Sequence, residues 1–212
     1  MLLGFEIVML NLHRRDTPVL DFLNECNKSN LPKKILDCGA GGGHPPLAIF
    51  YNEGYETHGI EILDSQIERA EKYAQENNMD FNIIKGDMRE LPYEDQSFSF
   101  VFSHHTIFHM SKEEVGKAIK EMERVLVLGG LIFINFPSYD CVGYGEGTEV
   151  EKGEFLQMEF GEEVLHSYYE DREADMYFEN FDFISIRKWI LLKNEGWVDN
   201  MGMIEYIARK KN

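Results

Sequence analysis

Positive charge is in short supply: 21 lysines and arginines stand against 38 aspartates and glutamates, a formal net charge of −17. Nucleic acids and anionic membrane surfaces are gripped through clustered basic side chains, so this balance argues against both and favours a neutral or cationic small molecule. Cysteine is also sparse. Cys26, Cys38 and Cys141 are scattered, odd in number and form no C-x-x-C pair, which excludes a disulfide framework and a zinc knuckle and fits a reducing cytoplasm. The apolar start, MLLGFEIVML, is too short to span a bilayer, carries Glu6 and lacks a basic leader, so a packing segment is expected there rather than an export signal. No Pro/Ser-rich linker or internal repeat divides the 212 residues, and one domain with a sizeable core is the expectation.

Two phosphate-binding patterns are missing as well. No G-x-x-x-x-G-K-[ST] occurs, and a dinucleotide G-x-G-x-x-G begun at Gly39 and Gly41 would need a glycine where His44 stands. What the chain does have is the run Ile35-Leu36 reaching Asp37-Cys38-Gly39-Ala40-Gly41-Gly42-Gly43, then His44-Pro45-Pro46 and apolar Leu47 to Phe50. This is a buried strand opening through a small-residue turn into a helix, with proline suited to the first helical turn.

Further along, Val19, Leu20, Phe22 and Leu23 recur at helical spacing over 17–27. A strand over 56–60 ends at Glu61, and the Gly41 to Glu61 interval matches the roughly 20-residue step to a ribose-binding acid. An amphipathic helix is expected over 64–77, capped by Asp64 or Ser65, followed by strands over 81–84 and 98–102. Ser111 and Glu114 form a capping box ahead of the stripe Val115, Ile119, Met122 and Leu126. A strand is expected over 131–135, a glycine- and glutamate-rich loop over 139–163, a helix opened by Ser167 and Glu170, and a closing hairpin of strands 183–192 and 201–208.

ILDCGAGGG resembles motif I of the class I S-adenosylmethionine-dependent methyltransferases, in their small-molecule branch, and GDMRELPYEDQSFSFVFS resembles the two motifs that follow. The likeness runs from about Ile35 to the end of the chain. It implies an α/β fold, a Rossmann-like doubly wound sheet of seven strands, mostly parallel, with a terminal antiparallel hairpin. It also implies S-adenosyl-L-methionine as cofactor, held by Asp37, Gly39, Ala40, Gly41, Gly43, Glu61, Ile62, Asp87, Met88 and Ser103. Glu61 would take the ribose, Ile62 would pack beside the adenine, and Asp87 and Met88 would meet the adenine amine and ring. By the same resemblance residues 1–32 form a helical cover, in which His13, Arg14 and Arg15 are expected at the surface, and 139–166 a lid over the acceptor.

The stretch Ser103-His104-His105-Thr106-Ile107-Phe108-His109-Met110 occupies the place that faces the reacting methyl in that family, and His104 is the candidate proton acceptor. If this stretch were helical, His105 and His109 would lie one turn apart, but no acid accompanies them and no metal is expected. The family's usual R-V-L-K-P-G-G appears as Arg124-Val125-Leu126-Val127-Leu128-Gly129-Gly130, where altered turn packing is expected. An Asn-x-Pro-aromatic motif for methylating base amines is absent after strand four, which again points away from nucleic acid. A cofactor-binding protein without catalysis would share the same motifs, and a nicotinamide oxidoreductase is disfavoured by His44.

Overall fold

A computed structural model describes residues 17–159, 161–191 and 200–212. In order the elements are α1 (Thr17–Asn27), β1 (Lys34–Cys38), α2 (Leu47–Asn52), β2 (Glu56–Glu61), α3 (Asp64–Glu76), β3 (Ile83–Lys85), β4 (Phe98–Ser103), α4 (Lys112–Val125) and β5 (Leu126–Pro137). There follow β6 (Thr148–Glu151), β7 (Glu154–Glu159), β8 (Glu162–Ser167), a 3₁₀ turn (Glu173–Tyr177), β9 (Phe181–Leu191) and β10 (Met201–Lys210).

The central sheet has the order β3-β2-β1-β4-β5-β10-β9. Pairing is parallel from β3 to β5, and β10 runs antiparallel to both β5 and β9. Every residue of β4 is buried, as expected of a strand covered on both faces. Alternation divides the side chains between two cores. Ile35, Phe100, Phe102 and Phe133 join Phe22 of α1 and Phe50 of α2 on one face, while Leu36, Val101 and Ile132 join Val115, Ile119 and Met122 of α4 on the other. The chain turns from β1 towards β2 on one side and resumes at β4 on the other, so a crevice opens beyond the carboxyl ends of β1 and β4, where doubly wound sheets bind ligands.

The seven-stranded Rossmann-like sheet with its antiparallel end matches the expectation. Ser111 caps α4 and the Ser111–Glu114 box is complete. Several local expectations are corrected. At α3 the cap position is Leu63, with no side-chain cap bond, because Asp64 pairs instead with Lys85 Nζ at 2.5 Å. β3 starts at Ile83, after Asn82 with φ +48, a value that breaks extended chain. No turn separates α4 from β5: Val127 and Leu128 continue the strand in place of lysine and proline. Gly129 at φ +72 accompanies the register shift with β4 between Phe98 and Phe100.

The segment expected as a loop contains the antiparallel sheet β6-β7-β8. It is fastened to α4: the Lys112 amide donates to Glu154 Oε1 at 2.6 Å, and Lys112 Nζ reaches Lys152 O at 3.0 Å and Glu173 at 2.6 Å. Ser167 opens no helix. It ends β8, its amide donating to Phe108 O at 2.9 Å, and only the 3₁₀ turn follows. Residues 1–16, Phe160 and the expected hairpin turn at Asn194-Glu195-Gly196-Trp197 lie outside the described residues.

Candidate active site

The turn after β1 is stitched to its neighbours through its own backbone. Gly39 and Ala40 amides both donate to Ile60 O (2.9 and 3.1 Å), Gly41 donates to Glu61 Oε2 (3.2 Å) and Gly42 to Gln66 O (3.0 Å). Gly39 sits at φ +103, and a Cβ there would lie 2.3 Å from Thr106 Cγ2. At Gly41 a Cβ would lie 2.7 Å from Glu61 Oε2. These two glycines are therefore fixed by shape. Gly43 is not, since a Cβ there would meet only Arg69 at 3.5 Å, an ordinary contact. α2 spans six residues, and the Ala48 and Ile49 amides already donate to Pro45 O and Pro46 O, so these two amides of the expected helix N-terminus are already bonded.

Two carboxylates meet beneath the turn. Asp37 is 1% exposed, and its Oδ2 has no hydrogen-bond partner. Burial first, and the nearby Glu61 second, push its carboxyl well above the usual carboxylate range. Glu61 Oε1 accepts the Ile62 and Leu63 amides at 2.9 and 3.0 Å. Ile62 and Leu63 themselves stand 52% and 54% exposed, an apolar step beside a polar anchor.

Asp87 follows β3 and is held by Arg89, whose Nη2 lies 2.5 Å from Oδ2 and whose amide donates to Oδ1 at 2.8 Å. Arg89 also pairs with Glu114 of α4. The hydrogen bonds from Arg89 hold the Asp87 carboxyl below its ordinary value. Met88 is buried beside it. Ser103 is fully buried and donates to Cys38 O at 2.7 Å. Its hydroxyl fastens β4 to β1.

Beyond β4, residues 104–110 form turns rather than a helix, so the helical pairing of His105 with His109 does not arise. The His104 ring lies 4.2 Å from that of His105 and 5.9 Å from Phe133, centroid to centroid. His105 has φ +56, an uncommon conformation for a residue with a side chain, and its amide donates to Asn135 Oδ1 at 2.8 Å. Asn135, fully buried within β5, thus sets the path of the loop. It was not singled out as a site residue, although an amide inside the apolar run Leu131 to Pro137 is the signal that marks it.

His109 turns instead to the small sheet. Its Nδ1 is 3.6 Å from Glu159 Oε2, and His166 Nε2 is 3.4 Å from the same oxygen. Burial, with the neighbouring His166 second, pushes the His109 imidazole down to about 4. Between β5 and β6, Tyr144 stacks on Tyr139 at 4.1 Å and meets Phe155 of β7 edge-on. Cys26, Cys38 and Cys141 are free thiols, and among the described residues no helix is long and apolar enough to cross a membrane.

Residues 36–134 match a family model described as a methyltransferase domain. The chain is 25% identical to a sterol 24-C-methyltransferase of Pneumocystis carinii, over 84% of this chain and 57% of that protein. It is 32% identical to the 27-O-demethylrifamycin SV methyltransferase of Amycolatopsis mediterranei, over 46% of this chain and 36% of that one. The chain therefore spans roughly a third to a little over half of these relatives' lengths. The crystal structure of a SAM-dependent methyltransferase from Methanosarcina mazei superposes with a TM-score of 0.75 at 21% identity, covering 95% of this chain and 99% of that one. Residues 36–134, which run from β1 into β5, thus carry the methyltransferase domain, on the fold of the S-adenosylmethionine-dependent methyltransferases.

Proposed function

We propose that this protein transfers the methyl group of S-adenosylmethionine to a small-molecule acceptor. The observation that carries the reading is the placement of three acids, Asp37, Glu61 and Asp87, in or just beyond the carboxyl ends of β1, β2 and β3, around a glycine turn packed against Glu61 and Thr106. The residues fit the cofactor. Asp37 offers a buried carboxyl oxygen that lacks a partner, and a cationic ligand carrying sulfonium and ammonium charge would favour its ionised form, which burial and Glu61 otherwise disfavour. When bound, S-adenosylmethionine supplies a methyl group already activated on sulfur, so the chain's contribution is alignment, for which effective molarities of about 10⁵–10⁸ M set the scale.

In this reading Glu61 holds the ribose hydroxyls, the exposed Ile62 packs on the adenine, and Asp87 with Met88 recognises its amine and ring edge. Arg89 orients Asp87 and keeps it ionised. Asn135 fixes the loop that presents His104, and His104 takes the proton from an acceptor that must lose one. The sheet β6-β7-β8 serves as a wall on the acceptor side, and α1 as part of a cover. Methyltransferases named for sterol and rifamycin acceptors among the relatives support a small, largely apolar acceptor, as does the net charge of −17 against nucleic acid.

The test has two parts. S-adenosylhomocysteine binding by calorimetry should be saturable with one site. Incubation with methyl-labelled S-adenosylmethionine and fractionated metabolites should then move label to an organic-soluble product. Binding without transfer to any fraction would favour a non-catalytic cofactor-binding protein, and NAD bound in preference to S-adenosylhomocysteine would overturn both.

A further inference from the structure

We propose that His109, Glu159 and His166 form a binding site for a divalent transition-metal ion of the zinc class. The three residues come from the loop after β4 and from β7 and β8, and one ligand atom from each lies within 4.8 Å of the other two. Two imidazoles and one carboxylate are a donor set that borderline ions such as Zn²⁺ take up, usually with a further position left open.

The spacing distinguishes an ion site from simple pairing. A charged histidine bonded directly to a carboxylate sits about 2.7–2.9 Å from it. Here the two imidazole nitrogens stand 3.6 and 3.4 Å from one Glu159 oxygen, too long for strong hydrogen bonds. Bonds of about 2.0–2.2 Å to a shared tetrahedral ion put its ligands about 3.4 Å apart, which is the separation observed. The rings also cross at 69° with centroids 4.6 Å apart, bringing both edges towards the same carboxylate.

One ring is tied on its far side as metal-bound histidines are tied. His166 Nδ1 lies 3.3 Å from Val164 O, which leaves Nε2 as the lone-pair nitrogen facing Glu159. A second hydrogen bond of this kind fixes the tautomer and the ring plane. His166 is 9% exposed, whereas the side chains of His109 and Glu159 are 32% and 36% exposed, so the cluster is anchored from below and open above. His109 shares its loop with His104 and Thr106, and Thr106 touches the glycine turn. An open coordination position would therefore suit water or an acceptor oxygen or nitrogen, a use that rests on the methyl-transfer reading.

The experiment is equilibrium dialysis of the full chain against Zn²⁺, with Co²⁺ as a spectroscopic probe, on wild type, His109→Ala and Glu159→Gln. Circular dichroism and S-adenosylhomocysteine affinity are measured on the same samples. Wild type should hold one zinc per chain and show visible Co²⁺ absorption. Since losing an outer hydrogen bond to a metal ligand already costs about 10–100-fold, removing a ligand should weaken zinc by at least about 100-fold, with cofactor affinity retained. Should one variant fail to fold, the other and the wild-type Co²⁺ spectrum still decide. A wild type that binds S-adenosylhomocysteine but takes up no stoichiometric zinc, or variants that hold zinc as tightly, would overturn the site and leave the methyl-transfer reading standing.

Discussion

Glu61 gives the most decisive perturbation, because one buried carboxylate serves both the fold and the proposed ligand. It accepts three backbone amides, those of Gly41, Ile62 and Leu63, at 3.2, 2.9 and 3.0 Å, and is 8% exposed. A hydrogen bond to a charged group contributes about 1.5–3 kcal/mol, and these three share one acceptor, so Glu61→Ala should cost about 3–5 kcal/mol in place of the full sum. Glu61→Gln can keep a carbonyl oxygen towards Ile62 and Leu63 but turns an NH₂ towards the Gly41 amide, and should cost about 1–2 kcal/mol. Urea unfolding at pH 7 measures both. Calorimetry with S-adenosylhomocysteine should show an affinity loss of about 1–3 kcal/mol for each variant that stays folded, the cost of an unpaired ribose hydroxyl pair. An alanine variant with wild-type stability would refute the hydrogen-bond argument, and wild-type affinity would refute the ribose assignment.

Three further outcomes follow from the geometry. Gly39→Ala places a side chain at φ +103 against Thr106 and should destabilise the protein by about 2–5 kcal/mol from backbone strain and overpacking, read as a lowered urea midpoint. His104→Ala should lower methyl-transfer turnover while S-adenosylhomocysteine affinity holds; unchanged turnover removes His104 from the reaction. For the Arg89–Asp87 pair the sign follows from the depressed carboxyl: its stabilisation is present above the unfolded value of about 3.9 and is lost as pH falls through the folded one. Arg89→Ala should therefore unfold more readily than wild type at pH 7, and the gap should narrow at pH 3. An equal gap at both pH values would contradict this.

The parts of the fold legible in sequence were those with one dominant local cause. β1 and β4 read from apolar runs because both faces are covered, and α4 read from Ser111 and Glu114 because a capping box is a short-range device. β6 and β7 did not read, because β6 is exposed at all four positions and buries no face to impose alternation. A usable signal was present nonetheless: Lys152-Gly153 is a two-residue turn with Gly153 at φ +74, as tight hairpins require. Ser167 and Glu170 carried the letters of a capping box, yet tertiary bonding to Phe108 claimed Ser167 for a strand. Asp37, Glu61 and Asp87 sit at or just beyond successive strand ends and were legible in order. The joining of His109 to Glu159 and His166 was not, since nothing local links a loop to two strands so far along the chain.

The small sheet has one more consequence, which concerns self-association. β6 and β8 are its two outer strands, and an outer strand presents one backbone edge of the kind that recruits strands from another molecule. Glu149 and Glu151 on β6, and Glu162 and Glu163 on β8, are all exposed. A second copy approaching either edge would bring glutamates against glutamates, so the acidity of this segment guards against edge-to-edge polymerisation. Neutralising these four side chains is thus the change by which an otherwise intact domain would begin to aggregate.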